Sequence, residues 1–165
     1  MTAMPPAETL EASARRIGHH AWIEQSLFAT LGAWVPSTPE PAAKALLAEV
    51  SLHHAWRAQL WDGLLPAVPH LAADDLVVSP TGDDVFPAPP VDVSTAARLA
   101  WLCDEELPAL LDRYADHLAR TTPVTDGPTI RILGLITADV GSDLDAARAA
   151  LAALSVQGRG PAPDL

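Results

Sequence analysis

A chain of 165 residues, 49% hydrophobic and 19% charged, can bury one core without disulfide staples, and its composition excludes a disordered or fibrous protein. Ten Lys and Arg against 21 Asp and Glu give a formal net charge of −11, which repels a nucleic-acid backbone or an anionic membrane surface. The lone Cys103 excludes an internal disulfide and any multi-cysteine cluster, and the N-terminal stretch has no apolar leader, so the expectation is a cytoplasmic protein without nucleic-acid or membrane partners.

The 16 prolines divide the chain, because proline breaks a helix interior but suits its first turn. A first helix is expected from about Ala7 to Leu31, ending before the turn Gly32 to Ser37. A second starts with Thr38 as N-cap, holds Pro39, Glu40 and Pro41 in its first turn, and continues to about Leu65. From Pro66 to Val93 six prolines and a Thr81–Asp84 turn forbid helix, with Leu76 to Ser79 as one short extended piece. The third helix runs from Ser94 to Arg120, with a kink expected near Asp104 because Pro108 removes a hydrogen bond. The fourth runs from Pro128 to about Leu154, with a flaw and restart at Gly141-Ser142. Residues 1–155 are read as one helical domain and 156–165 as a flexible tail.

Apolar spacing assigns each helix a buried stripe. The stripes are Leu10, Ala14, Ile17, Ala21, Phe28 and Leu31 on the first, and Ala42, Leu46, Trp56, Leu60 and Leu64 on the second. The third contributes Leu99, Cys103, Leu110, Tyr114 and Leu118, and the fourth Leu133, Ile136, Val140, Ala147, Leu151 and Leu154. Short turns make the first and last pairs antiparallel, while the long middle connection crosses the molecule. The expected fold is therefore all-α: a four-helix bundle of two antiparallel hairpins joined by a long crossover.

Several polar residues interrupt these stripes. Glu24 lies between Ala21 and Phe28, and Glu49 with His53 lies between Leu46 and Trp56. A carboxylate in a helical core requires a cation, a metal or several hydrogen bonds. A hairpin turning near residue 35 puts Glu24 level with Glu49, and His20 level with His53 one turn away. The parallel third helix then brings Glu106 to that height, and the second hairpin adds Asp143, with Asp139 one turn away.

On this topology, and on acidic and histidine residues at mid-helix, the chain resembles the ferritin-like superfamily over most of residues 7–155. In that superfamily the metal ligands are a Glu on each of two helices and a Glu-x-x-His pair on each of the other two. This chain departs from that pattern: position i+3 from Glu49 is Leu52, His53 stands at i+4, and the fourth helix offers Asp139 and Asp143 but no histidine. The resemblance implies a mononuclear or altered non-haem site for iron or another divalent transition metal, with oxygen or redox chemistry. The implied ligands are Glu24, Glu49, His53 and Glu106, with His20, Asp139 and Asp143 as additions.

Two alternatives come from the residues themselves. Buried Glu and His can pair with one another or with Arg57 and Arg131, giving a metal-free scaffold with a polar core layer. A small-molecule pocket is the other, and the helix faces leave room for a homo-oligomer. In each doublet, His19-His20 and His53-His54, one member faces inward. No Gly-x-Ser-x-Gly elbow or nucleotide-binding glycine loop is present, and most tryptophans are read as core.

Overall fold

The computed structural model describes residues 8–157. Thr9 caps the first helix, its hydroxyl accepting the Ala12 N–H at 3.2 Å, and α1 spans Leu10–Trp34. Proline places the next start, since Pro41 occupies the first turn of α2, Pro41–Asp62, where no N–H is required. Thr38 is not the cap of α2. Its buried hydroxyl donates to Trp34 O at 2.8 Å and closes the end of α1, while Glu40 takes the N-cap position.

The connection between α2 and residue 95 holds only one helical turn, α3, Ala73–Leu76, and a 3₁₀ turn at Gly82–Asp84. The extended piece expected at Leu76–Ser79 does not form: Val77 N–H returns to Ala73 O, and no strand occurs among the described residues. This segment is pinned to α1 at Gly18, where an added Cβ would lie 2.2 Å from the Leu76 carbonyl oxygen. Only glycine allows that approach.

Ser94 caps α4, Thr95–Trp101, by accepting Ala97 N–H at 3.3 Å. A π-helical turn, Leu102–Glu106, leads into α5, Leu107–Arg120. This turn is the interruption expected from Pro108. With no N–H at Pro108 to complete the ladder, the helix widens, and Leu107 N–H reaches back to Leu102 O. The last helix, α6, spans Gly127–Gln157 without the flaw expected at Gly141-Ser142. Burial of Val140, Asp143, Leu144 and Ala147 holds it there, and Ser142 returns its hydroxyl to Ala138 O at 3.2 Å. Helix persists through Val156 and Gln157 of the expected tail, and residues 1–7 and 158–165 lie outside the described residues.

The fold is all-helical. α1 packs along α2, and α6 packs against α2, α4 and α5. Their shared core includes Leu31, Leu47, Trp61, Leu102, Leu110 and Ile136. No helix among the described residues is long and apolar enough to cross a membrane.

The stripe expected on α2 is rotated by about one residue. Ala43, Leu47, Val50, His54, Arg57 and Trp61 are buried, whereas Trp56 is 41% exposed and Glu49 faces solvent. The cause is that α2 carries apolar residues on both faces, so spacing alone admits two registers, and the second one puts an arginine inside. Leu10, Phe28 and Leu118 of the other expected stripes are also exposed.

Candidate functional site

Midway along the helices, polar side chains from α1, α2, the π turn, α5 and α6 meet in one buried layer. Glu24 of α1 is fully buried. Both its oxygens lie 3.2 Å from Arg57 Nε, the Tyr114 hydroxyl donates to Oε1, and His54 Nδ1 lies 2.6 Å from Oε2. Burial alone would raise the Glu24 carboxyl, but Arg57 and His54 outweigh it and hold it below the ordinary carboxylate value. Tyr114 is pushed well above its usual value by burial and by the Glu24 charge, so it remains a donor.

Arg57 continues the layer toward α6. Its Nη1 donates to Asp139 Oδ2 at 2.5 Å and to Asp143 Oδ2 at 2.8 Å. Burial disfavours the guanidinium charge, but Glu24 and Asp143 more than restore it. His53 completes this side, with Nδ1 2.7 Å from Asp143 Oδ1. His53, Asp139 and Asp143 can each offer a ligand atom within 4.8 Å of the others. One oxygen of each carboxylate there, Asp139 Oδ2 and Asp143 Oδ2, is already held by the Arg57 guanidinium.

His54 has the reverse character. Burial lowers its pKa, and Glu24 offsets this only in part, which makes it a neutral imidazole. Nδ1 cannot both donate to Glu24 and accept from Arg57 Nη2, which lies 2.9 Å away. The shorter contact to an anionic carboxylate assigns the proton to Nδ1, so Nε2 presents a lone pair. That atom lies 3.5 Å from Glu106 Oε1, too far for a good hydrogen bond. His54 Nε2 and both Glu106 oxygens are buried without a hydrogen-bond partner. Burial, reinforced by the Glu24 charge, pushes the Glu106 carboxyl well above its ordinary value.

The structure therefore gathers Glu24, Glu106, Asp139, Asp143 and His53 in one layer, where their numbering put Glu24, Glu106 and Asp143 together and set Asp139 and His53 one turn away. Glu49 is the correction: its side chain is on the solvent face of α2, because the buried register of that helix passes through His54 and Arg57. His20 also lies outside the layer. It is buried one turn away, with Nε2 3.1 Å from His117 Nδ1 and its ring 4.5 Å from that of Trp61. His54, Arg57 and Tyr114 enter the layer beyond the expected ligand set. The signal for the first two was the spacing Leu47, Val50, His54, Arg57, Trp61, a complete helical face once an arginine is admitted to it. No protein family, characterised protein or solved structure matches the chain.

Proposed function

We propose that this chain is a divergent ferritin-like four-helix bundle that holds one divalent transition metal, iron foremost, at mid-bundle between His54 Nε2 and the Glu106 carboxylate. In this reading α1 with α2 and α4–α5 with α6 are two hairpins, and residues 63–94 are the crossover. Support comes from the polar layer, to which α1, α2, the π turn, α5 and α6 each contribute.

The observation that carries the reading is the proximity of three fully buried polar atoms, His54 Nε2 and both Glu106 oxygens, none with a hydrogen-bond partner among the described residues and with Nε2 and Oε1 3.5 Å apart. Such atoms are costly to bury unless something binds them. Glu24 on the far nitrogen of His54 supplies the outer carboxylate that usually fixes the tautomer and orientation of a metal-bound imidazole.

The donors fit a single ion and not a pair. On α2 the i, i+3 pair is His54 and Arg57, and the guanidinium stands among Glu24, Asp139 and Asp143 as a permanent cation. Those three carboxylates and His53 are therefore support for the site. A bound redox metal supplies one-electron and dioxygen chemistry, as the family resemblance implies. The chain's own residues perform the rest: Glu24 holds the His54 proton at Nδ1, Tyr114 and Arg57 hold Glu24, and burial keeps bulk water away.

One observation favours a second reading, a metal-free scaffold: Arg57 already pairs three carboxylates. Titration with Co(II), followed by visible absorbance, separates the two. The metal reading predicts saturation at one equivalent with ligand-field bands that Glu106→Gln abolishes and Glu49→Ala leaves intact. The scaffold reading predicts no bands in any variant.

A further inference from the structure

We infer a second binding site, for a small organic carboxylate with an apolar body, in the cleft between α1, α5 and the 3₁₀ turn. Two cavities of about 320 and 230 Å³ adjoin there and share Arg16, His20, Asp84 and Arg113 in their walls. The inference is independent of the mid-bundle metal.

Cations are scarce in this chain, yet three arginines, Arg15, Arg16 and Arg113, line the smaller cavity with His19 and His20. Arg16 is committed, since Glu8 lies 2.6 Å from Nη2 and Asp116 3.4 Å from Nη1. Arg113 is not: its hydrogen bond goes to a main-chain acceptor, Asp84 O, and its guanidinium lies 5.9 Å from the Phe86 ring centre. Arg15 makes no ion pair among the described residues.

The second, independent observation is His20. The residue is 2% exposed and lines both cavities, and its Nδ1 has no partner. In the tautomer that the proposal requires, in which His117 Nδ1–H donates to His20 Nε2, His20 Nδ1–H is a buried donor without an acceptor. A carboxylate oxygen satisfies it while the guanidinium of Arg113 takes the other oxygen. Val85, Phe86, Pro87 and Ala109 line the larger cavity and offer an apolar seat for the rest of the ligand.

Carboxylates also face the cleft. Asp116 is held by both Arg16 and Arg120, while Asp84 and Asp112 make no side-chain ion pair among the described residues. They select against dianions, and so favour a singly charged head group over phosphate.

Calorimetric titration of the full chain with benzoate, acetate, benzylamine and inorganic phosphate tests the proposal. Benzoate is expected to bind at one site, at least about tenfold more tightly than acetate or phosphate, with Arg113→Gln weakening it about tenfold or more. Arg148→Gln, which removes an exposed guanidinium on α6 outside both cavities, is expected to leave benzoate affinity unchanged. Circular dichroism melts verify that each variant folds. If Arg113→Gln is unfolded, nuclear magnetic resonance shifts in the wild type decide, with His20 and Arg113 expected to move on benzoate addition. No benzoate binding, tighter binding of benzylamine, equal binding of phosphate, or shifts that bypass His20 and Arg113 would each overturn the proposal.

Discussion

Arg57 Nε lies 3.2 Å from both carboxylate oxygens of Glu24, with both side chains fully buried. Because the same guanidinium also holds Asp139 and Asp143, replacing it leaves three carboxylates without their cation. Removal of one partner of a buried ion pair costs about 3–5 kcal/mol. Arg57→Met is expected to lower unfolding free energy by that amount in a urea titration, and Glu24→Gln added to it is expected to recover part of the loss. A change under about 1 kcal/mol in Arg57→Met would mean that the layer is not paired in this way.

The His20–His117 pair gives stability a defined pH dependence. Burial and the nearby Arg16 charge lower His117 from the ordinary 6.5 to about 4, and burial holds His20 well below that ordinary value. The unfolded chain therefore binds more protons than the folded one between about pH 6.5 and about pH 4. The contribution of His117 is fully present above about 6.5 and is lost as the pH falls toward about 4, amounting to about 3 kcal/mol. Urea midpoints measured across that window are expected to fall with pH, and to fall less in His117→Gln. Equal slopes in the two proteins would contradict the assignment.

Gly18 sets how closely the crossover can approach α1. An alanine there puts a Cβ 2.2 Å from the Leu76 backbone oxygen, so α3 must move. Gly18→Ala is expected to destabilise the fold by about 1–3 kcal/mol despite the gain in helix propensity. Hydrogen exchange should rise selectively in residues 71–79. Unchanged exchange in that segment would show that α3 is not seated through this contact.

The register of α2 is testable by paired substitutions. Glu49 is exposed while Val50 is fully buried. Glu49→Ala should change stability by no more than about 0.5 kcal/mol, whereas Val50→Ala should cost about 1–3 kcal/mol in the same thermal or urea assay. The reverse order would restore the register that apolar spacing first suggests.

Much of the architecture was legible because its determinants are local. Ser94 and Pro108 mark the start and the interruption of the third helical segment through capping and a missing N–H, and neither depends on distant residues. That Glu24, Glu106 and Asp143 share one layer was likewise legible, although the hairpin arithmetic set Glu24 opposite Glu49 and the α2 residues that meet it are His54 and Arg57, more than one turn further along. Rotation of α2 about its axis was not. Leu46, Leu52, Trp56 and Leu60 form a second apolar face, so the choice of His54 over His53 rests on packing with Glu24 and Glu106 across the core. Arg57 was legible as a partner for buried acids, but not as the centre of three carboxylates, since an arginine counts as a solvent residue until its partners are placed around it. Gly141-Ser142 shows local preference yielding to tertiary burial along α6.

Anomalous diffraction at the iron edge, from crystals of the full chain soaked anaerobically in Fe(II), tests the metal proposal most directly. The account predicts one peak, within about 2.5 Å of both His54 Nε2 and a Glu106 oxygen, that disappears in Glu106→Gln. A wild-type crystal with no peak there, or with its iron among His53, Asp139 and Asp143 after displacement of Arg57, would contradict it.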